Sequence, residues 1–199
     1  MIQGSVEWHE ARLGKITASR FGDVLAKGKG TPFGKVAYAY AYELVAETLT
    51  GTWKEIYAKP LEWGKEHEAD ARQLYQSETF NYVKEVGFEL YDDMIGCSPD
   101  GLIGDDGCLE IKCPYDSTNH VRALETKNVP KIYVPQVQGQ LMCLGRKWCN
   151  FVSYDPRFKD ISKRAIFIPV ERDEEYIKML SSRLSEFKKI VKSILNKVG

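Results

Sequence analysis

The sequence predicts a single α/β (α+β) domain, residues 1–199, in which helices flank a central mixed β-sheet. Apolar residues recur at helical spacing in the segments 61–80 and 173–197. The segments 148–154 and 164–170 instead alternate apolar and polar residues, as half-buried strands do. A chain of 199 residues can bury a sizeable core without disulfides, and no linker indicates a second domain.

The composition argues against several other classes of protein. Five cysteines with no Cys-x-x-Cys pair indicate neither a disulfide framework nor a zinc site, and they favour a reducing compartment. No apolar run reaches the roughly 18 residues of a membrane span, and the first residues lack the apolar core of a signal peptide. We therefore expect a soluble cytoplasmic protein. The formal charge is zero, so composition permits DNA binding only through local basic surfaces.

Two short helices are predicted at the start of the chain. The first covers residues 5–14 and has Ser5 as its cap. The second covers residues 16–26, with Thr17 as its cap.

Possible phosphate contacts lie in and after these helices. Free N–H groups at a helix start bind phosphate readily, and Arg12 and Ser19 could flank such a site. A surface arginine and an ordinary helix serine are the competing interpretations. The glycine-rich segment 27–34 is predicted to be a mobile basic loop that could touch a DNA backbone, and 188–199 carries four lysines and no acid.

Two longer helices follow. The first, 35–49, is apolar around most of its circumference, so its tyrosines are expected in the core. The second begins near Pro60, a residue suited to a first helical turn, and continues to about residue 80. Glu68 lies on its inward stripe and is therefore a candidate metal ligand, whereas His67 is expected at the surface. The stripe comprises Leu61, Gly64, Glu68, Ala71 and Tyr75.

The second half of the chain contains further strands and helices. Strands are predicted at about 82–90 and 94–97, and a polar helix at 117–127 with Ser117 as its cap. The last helix, 173–197, is amphipathic. Its apolar stripe comprises Ile177, Leu180, Leu184, Phe187, Val191 and Ile194.

The segment 131–144 contains two glutamines one helical turn apart. Gln136 and Gln140 therefore share one face of the predicted helix. Their amides could hydrogen-bond a phosphate or a sugar from an active-site wall, although helix surfaces also carry glutamine freely.

The stretch 98–113 carries the strongest functional signal. Asp100 precedes the segment Gly-Asp-Asp-Gly, whose residues tolerate left-handed backbone and therefore favour a hairpin turn. The sequence after this turn is Cys-Leu-Glu-Ile-Lys-Cys. Side chains alternate along a strand, so Glu110 and Lys112 project from the same face. A hairpin here would bring two carboxylates and one lysine together.

This combination suits a divalent cation with a nucleophilic water beside it. Mg²⁺ commonly binds through one or two carboxylates and keeps several waters. The lysine can orient or deprotonate the attacking water and offset charge on a phosphate. A common turn followed by a solvated strand is the competing interpretation. A calcium loop is a poorer match. The EF-hand pattern requires oxygen ligands at its third and fifth positions and glycine at its sixth, where Leu102, Gly104 and Asp105 stand.

The chain as a whole resembles the lambda-type phage exonucleases, also grouped as YqaJ-like viral recombinases, within the PD-(D/E)xK nuclease superfamily. The resemblance rests on seven motifs in the expected order. They are Trp-His-Glu-Ala-Arg-Leu-Gly-Lys-Ile-Thr-Ala-Ser (8–19), Leu-Glu-Trp-Gly-Lys-Glu-His-Glu-Ala-Asp-Ala-Arg (61–72), Ser-Pro-Asp-Gly-Leu (98–102), Leu-Glu-Ile-Lys-Cys-Pro (109–114), Pro-Gln-Val-Gln (135–138), Tyr-Asp-Pro-Arg (154–157) and Glu-Arg-Asp-Glu (171–174).

The resemblance implies a restriction-endonuclease-like core and a Mg²⁺-dependent exonuclease. Such an enzyme degrades the 5′-ended strand of linear duplex DNA to mononucleotides and leaves a 3′ overhang. Two metal ions per active site would clamp the attacking and leaving oxygens, and Mn²⁺ could substitute. The resemblance also implies a ring-shaped homotrimer, a phage or prophage origin in a bacterial host, and a phage single-strand annealing protein as partner.

The resemblance also assigns roles to residues. Asp100, Glu110 and the carbonyl of Ile111 would bind metal, Glu68 would complete the second metal position, and Lys112 would serve the attacking water. The remaining matches are Arg12, Ser19 and Ser98 around the 5′-terminal phosphate, Tyr133 and Gln136 on the active-site helix, and Leu61 as an apolar wedge between terminal base pairs.

Two other functions compete with this one. An endonuclease of the same superfamily would use the same acids and lysine. A catalytically inactive DNA-binding subunit belongs to another class, and the presence of Asp100, Glu110 and Lys112 together argues against it.

Overall fold

The computed structural model describes residues 1–54 and 57–199. It has two β-sheets, one with three strands in the order β1-β4-β3 and one with five in the order β2-β5-β6-β7-β8. The strands are β1 Ile16–Thr17, β2 Val83–Lys84, β3 Glu89–Leu90, β4 Ile95–Cys97, β5 Gly101–Ile103, β6 Gly107–Lys112, β7 Trp148–Tyr154 and β8 Ala165–Glu171.

Seven α-helices surround these sheets in the described part of the chain. They are α1 Val6–Arg12, α2 Phe21–Leu25, α3 Lys35–Thr50, α4 Lys59–Thr79, α5 Ser117–Thr126, α6 Val134–Leu144 and α7 Glu174–Val198. Two short 3₁₀ turns lie at Ala18–Arg20 and Ile161–Lys163. No helix among the described residues is long and apolar enough to cross a bilayer.

The larger sheet is mixed, as the sequence predicts. Strands β5 and β6 form an antiparallel hairpin, while β6 and β7 run parallel because α5 and α6 cross over between them. The hairpin turn falls on the predicted Gly-Asp-Asp-Gly segment, where Gly104 adopts a φ of +51°. Strand β8 closes the sheet antiparallel to β7.

Strand β6 separates two apolar clusters, because its side chains alternate between the faces of the sheet. Leu109, Ile111 and Cys113 belong to one cluster together with Ala71 and Tyr75 of α4. Cys108 belongs to the other cluster, which also takes apolar residues from α2, α3, α6 and α7. Glu110 and Lys112 of β6 therefore share the face opposite α4.

The start of the chain differs from the sequence prediction. Ser5 caps α1, accepting a hydrogen bond from Trp8 N, as predicted. However, Ile16 and Thr17 form a parallel strand with β4 and do not open a helix, and Thr17 makes no side-chain capping bond. Pairing with a neighbouring strand overrode the local helical pattern there, a contact that the local sequence does not reveal.

Other local predictions also need correction. Asp116, not Ser117, caps α5, and the Ser117 hydroxyl donates to Asp155. Among the tyrosines of α3 only Tyr40 is buried, whereas Tyr38 and Tyr42 are exposed. The low polarity of α3 predicts a largely buried helix, but only one side of the helix packs on the core.

The loop 27–34 packs against the core through Phe33. Phe33 is buried against Phe187 of α7, with ring centroids 5.9 Å apart. The guanidinium of Arg183 lies 3.6 Å from the Phe33 ring centroid. None of the loop residues lines the cavity at the acidic site, within the part of the chain that the structure describes.

Candidate active site

Asp100 and Glu110 lie opposite each other across the β5–β6 hairpin. Gly101 pairs with Leu109, so the residue before Gly101 faces the residue after Leu109. Asp100 N donates to Leu109 O over 3.0 Å, and the Asp100 carboxylate accepts a hydrogen bond from Ile111 N over 2.5 Å. Cross-strand partners point to the same side of a sheet, so the hairpin brings the two carboxylates together as predicted.

Glu110 is almost completely buried, with 1% of its side chain exposed. Gln136 Nε2 donates to one carboxylate oxygen over 2.6 Å, and Gln140 Nε2 donates to the other over 2.6 Å. Both glutamines come from α6, one turn apart. A carboxylate offers about four acceptor positions, so these two bonds do not saturate it.

Lys112 forms an ion pair with Glu110, Nζ to Oε1, over 2.5 Å. Burial alone would lower the pKa of Lys112, but Glu110 and Asp100 outweigh that effect and raise it above its ordinary value. The ammonium also lies 5.2 Å from the ring centroid of Tyr133, which precedes α6. Lys112 is therefore a cation here, suited to orienting a water or stabilising a phosphate charge.

This arrangement disfavours the charged form of the Asp100 carboxyl group. Its pKa is raised well above the ordinary value by burial first, and then by repulsion from Glu110 and Glu68. Lys112 and the Ile111 amide act in the opposite direction but do not cancel it. Negative charge at the site is therefore only partly compensated by the protein.

Glu68 joins the same electrostatic cluster from the helix layer. Burial raises its pKa, and repulsion from Glu110 adds to this, while Arg72 and Lys112 oppose it. Its side chain is 34% exposed and forms an ion pair of 2.6 Å with Arg72, one turn later on α4. Of the predicted inward stripe, Ala71 and Tyr75 are buried.

An open cavity of about 540 Å³ lies beside Glu68, Asp100 and Lys112. Its lining includes Glu68, Asp100, Ile111, Lys112 and Tyr133, the members of the predicted site that face this space. Leu61 also lines the cavity and is half exposed, so core packing does not explain this leucine. Glu68 and Asp100 additionally border a neighbouring cavity of about 720 Å³, whose wall includes Trp8 and Arg72.

The donor set fits a divalent cation such as Mg²⁺. Within the described residues no three acidic, cysteine or histidine side chains form a ready metal cage. Mg²⁺ does not require one, because it binds through one or two carboxylates and keeps several waters. Asp100 and Glu110 provide two such carboxylates in a region of uncompensated negative charge, and Ile111 and Glu68 border the same cavity.

The predicted phosphate residues are only partly brought together. Arg12 Nη1 donates to Ser98 Oγ over 3.2 Å, and Trp8 Nε1 donates to the same hydroxyl over 2.9 Å. The guanidinium lies 4.0 Å from the Trp8 ring centroid, and burial lowers the pKa of Arg12. Ser19 is exposed and hydrogen-bonds to Thr17 at 3.2 Å.

Several residues around the site were missed or misjudged from the sequence. The sequence predicts Gln140 only as a contact to phosphate or sugar, yet its amide donates to Glu110. It predicts no role for Arg72 or Trp8, although both lie inside motifs that carry the family resemblance. His67 is half-buried with its ring centroid 4.0 Å from that of Trp63, so its predicted surface position is wrong.

Comparison with known proteins identifies the family. A family model described as the YqaJ-like viral recombinase domain matches residues 7–147. The solved structure of an alkaline exonuclease, LHK-Exo, from Laribacter hongkongensis is 36% identical, with 98% of this chain and 96% of that chain covered and a TM-score of 0.89. The chain belongs to the YqaJ-like viral recombinase family.

Two further solved structures are similar to this chain. LHK-Exo in complex with dAMP is 37% identical over 98% of this chain and 96% of that chain, with a TM-score of 0.89. A phage-related exonuclease from Haemophilus somnus is 16% identical over 93% and 96%, with a TM-score of 0.75, which shows a shared fold alone. The predicted fold class and family are thereby confirmed. Among curated proteins, none matches the chain.

The raised pKa of Asp100 predicts that Asp100→Asn stabilises the metal-free protein. Between the unfolded pKa, about 3.9, and the raised folded value, the native state holds a proton that the unfolded state has lost. The free energy of unfolding therefore falls as pH rises through that window. Asparagine cannot ionise, so the variant avoids this decrease in the free energy of unfolding. Its Tm in EDTA at pH 7 should therefore exceed that of wild type, by about 2–4 °C for each kcal/mol of unfolding free energy gained.

Scanning calorimetry from pH 4 to pH 8 checks this. The difference between Asp100→Asn and wild type should disappear toward pH 4, and Asp105→Asn, an exposed turn residue of the same hairpin, should match wild type throughout. A Tm below wild type at pH 7 would contradict the assignment of repulsion to Asp100.

The burial of Glu110 predicts unequal roles for the two glutamines. Gln140→Leu should lower the free energy of unfolding by about 1–3 kcal/mol, because the buried carboxylate loses a donor that water cannot replace. Gln136 is less buried than Gln140, so Gln136→Leu should cost less. Urea denaturation at pH 7 measures both. An equal loss of unfolding free energy in the two variants, or a larger loss in Gln136→Leu, would show that burial does not decide how much each glutamine stabilises Glu110.

Proposed function

We propose that this protein is a Mg²⁺-dependent 5′-to-3′ exonuclease that degrades the 5′-ended strand of linear double-stranded DNA. It would release mononucleotides and leave 3′ overhangs for recombination by single-strand annealing. The coarser activity, hydrolysis of DNA phosphodiester bonds by an exonuclease, is supported by family membership and by the likeness to the alkaline exonuclease LHK-Exo. The dAMP complex of LHK-Exo supports a nucleotide or DNA ligand.

One observation carries the proposal. Asp100 and Glu110 are cross-strand neighbours, and Lys112 is bonded to Glu110 from the same strand face. Two carboxylates and an ammonium at one end of a hairpin meet the minimum requirement for cation-assisted attack of water on a phosphodiester. A solvated strand surface, the competing interpretation, would not bury Glu110 or place two glutamine donors on it.

In this proposal each residue has a defined task. Asp100, Glu110 and the Ile111 carbonyl would bind the cation, and Glu68 would complete a second cation position. A cation bound here would act as a Lewis acid and lower the pKa of a bound water. Lys112 orients the attacking water and stabilises charge developing on the phosphate. Gln136 and Tyr133 support this from the start of α6, Gln136 by holding Glu110.

The terminal phosphate would bind beside this centre. Arg12 and Ser98 already contact each other, and Ser98 is two residues from Asp100 in the chain. A planar guanidinium can bind phosphate with two donors, so Arg12 is the principal candidate, with Ser19 at the rim. Leu61 is half exposed at the cavity and remains our candidate for the wedge between terminal base pairs.

We further propose a ring-shaped homotrimer that takes duplex DNA into a central channel, with a phage single-strand annealing protein as partner. The zero formal charge is compatible with lysine and arginine lining a channel while acids face outward. Sedimentation velocity of the purified protein would measure the oligomeric state directly.

Removal of the lysine should abolish hydrolysis. With end-labelled linear duplex and Mg²⁺, wild type should shorten the 5′-ended strands, and Lys112→Ala should lose several orders of magnitude in rate because the groups act as a unit. Asp105→Asn, in the turn of the same hairpin, is the matched control and should retain the rate. EDTA should stop the reaction in every case.

The same assay separates the competing functions. Cutting of closed circular DNA would favour an endonuclease, and unchanged substrate with wild type would favour an inactive DNA-binding subunit. Shortening of the 3′-ended strands would contradict the proposed direction.

The contact between Arg12 and Ser98 generates a second prediction for this function. Wild type should degrade a 5′-phosphorylated end faster than a 5′-hydroxyl end, since a guanidinium binds a phosphate dianion by charge-assisted bonds. Arg12→Ala should lower the rate on phosphorylated ends and reduce the preference to near unity. An Arg12→Ala enzyme that keeps the full preference would place the phosphate elsewhere.

A further inference from the structure

Arg72 connects three acidic elements next to the cavity. Its Nη2 donates to Glu68 Oε1 over 2.6 Å, and its Nε donates to the backbone carbonyl of Asp100 over 3.2 Å. Its Nη1 lies 2.9 Å from Glu85 Oε2, beyond β2. Only 13% of the side chain is exposed, so the guanidinium works in a largely dehydrated position.

The contact with Glu68 controls where that carboxylate lies. Glu68 is partly exposed, and two other carboxylates, those of Asp100 and Glu110, lie in the same cluster. Repulsion between like charges favours a conformation of Glu68 that turns away into solvent. The ion pair with Arg72 binds one oxygen, Oε1, and leaves the other without a hydrogen bond among the described residues.

The contact with Asp100 fixes the backbone of the second acid. Asp100 N donates to Leu109 O on one side, and Asp100 O accepts from Arg72 Nε on the other. The Asp100 carboxylate is bound through Oδ2 to Ile111 N, which leaves Oδ1 without a hydrogen bond among the described residues. A single guanidinium thus contacts both Glu68 on the helix and the backbone of Asp100 at the hairpin.

Lysine could not reproduce these contacts. A guanidinium presents five donors in a rigid plane and can bridge three acceptors, whereas an ammonium is a point charge on a flexible stem. Two of the acceptors lie on different elements, Glu68 on α4 and Asp100 beside β5, so the guanidinium bridges the helix and the edge of the hairpin.

We propose that Arg72 is a positioning residue that sets Glu68 and Asp100 at the separation needed for divalent cation binding. This inference rests on the proposed function. It assigns to Arg72 no contact with DNA and no part in proton transfer.

The opposite end of the same hairpin provides a matched control. Arg146 Nη1 donates to the carbonyl oxygens of Ile103, Gly104 and Gly107, at 3.3, 2.7 and 2.7 Å. Arg146 therefore also bridges the hairpin backbone, but it contacts no acid of the site. Its loss should disturb hairpin stability without changing the position of Glu68.

The test is Mg²⁺ binding to the full-length protein without DNA, measured by isothermal titration calorimetry. Arg72→Gln should weaken the affinity about tenfold or more, the usual effect of losing a residue that orients a metal ligand. Arg72→Lys should weaken it by a smaller factor. Arg146→Gln should lower Tm yet keep the affinity within about twofold of wild type.

A double-mutant cycle tests whether Arg72 acts through Glu68. If it does, Glu68→Gln/Arg72→Gln should bind Mg²⁺ within about twofold of Glu68→Gln alone, because the losses of coupled residues do not add. Additive losses, wild-type affinity in Arg72→Gln, or an equal loss in Arg146→Gln would each overturn the inference. Should Arg72→Gln not fold, the same cycle with Arg72→Lys decides the question.

Failure of this inference can be distinguished from failure of the proposed function. A wild-type protein that binds no Mg²⁺ and leaves linear DNA intact would overturn both. A wild-type protein that binds Mg²⁺ and degrades DNA, together with Arg72 variants of unchanged affinity, would overturn only the positioning role. In Mg²⁺ titrations of nuclease rate, the half-saturating Mg²⁺ concentration should rise in Arg72→Lys more than the maximal rate falls.

Discussion

The structure depends on holding carboxylates close together against their mutual repulsion. Asp100 and Glu110 face each other across the hairpin, a cross-strand arrangement of like charges that is normally destabilising. Hydrogen-bond donors offset part of this cost: two glutamine amides and Lys112 on Glu110, and a backbone amide on Asp100. The uncompensated remainder, visible as the raised pKa of Asp100, favours cation binding.

The layers of the fold explain how these groups reach one cavity. Strand β6 sends Glu110 toward α6 and Leu109 and Ile111 toward α4. Helix α4 therefore approaches from the opposite face and contributes Glu68 only at the end of the hairpin, where Asp100 precedes β5. Helix α6 supports the buried carboxylate of Glu110, while α4, through Arg72, contacts the Glu68 carboxylate and the backbone carbonyl of Asp100. Such a site sacrifices some stability for function.

The candidate phosphate site is continuous with this centre. Trp8 and Arg12 of α1 bind Ser98, and Ser98 is joined through Pro99 to Asp100. Gln3 makes a further hydrogen bond to this segment, its Nε2 donating to Pro99 O over 2.7 Å. Helix α1 and the β5–β6 hairpin are therefore positioned relative to each other by side-chain hydrogen bonds to the short segment 98–100. This arrangement supports our proposal that the 5′ end of a DNA strand binds next to the hairpin acids.

Alternation, helical period and turn composition are local properties. The hairpin acids, the strand face shared by Glu110 and Lys112, the long helices and the family could therefore be predicted from the sequence. The groups that hydrogen-bond to the acids became known only from the three-dimensional packing. Gln140 and Arg72 meet their partners across 30 and 28 residues of chain, and Thr17 joins a strand 79 residues away. Such contacts depend on how layers pack, which no local pattern encodes.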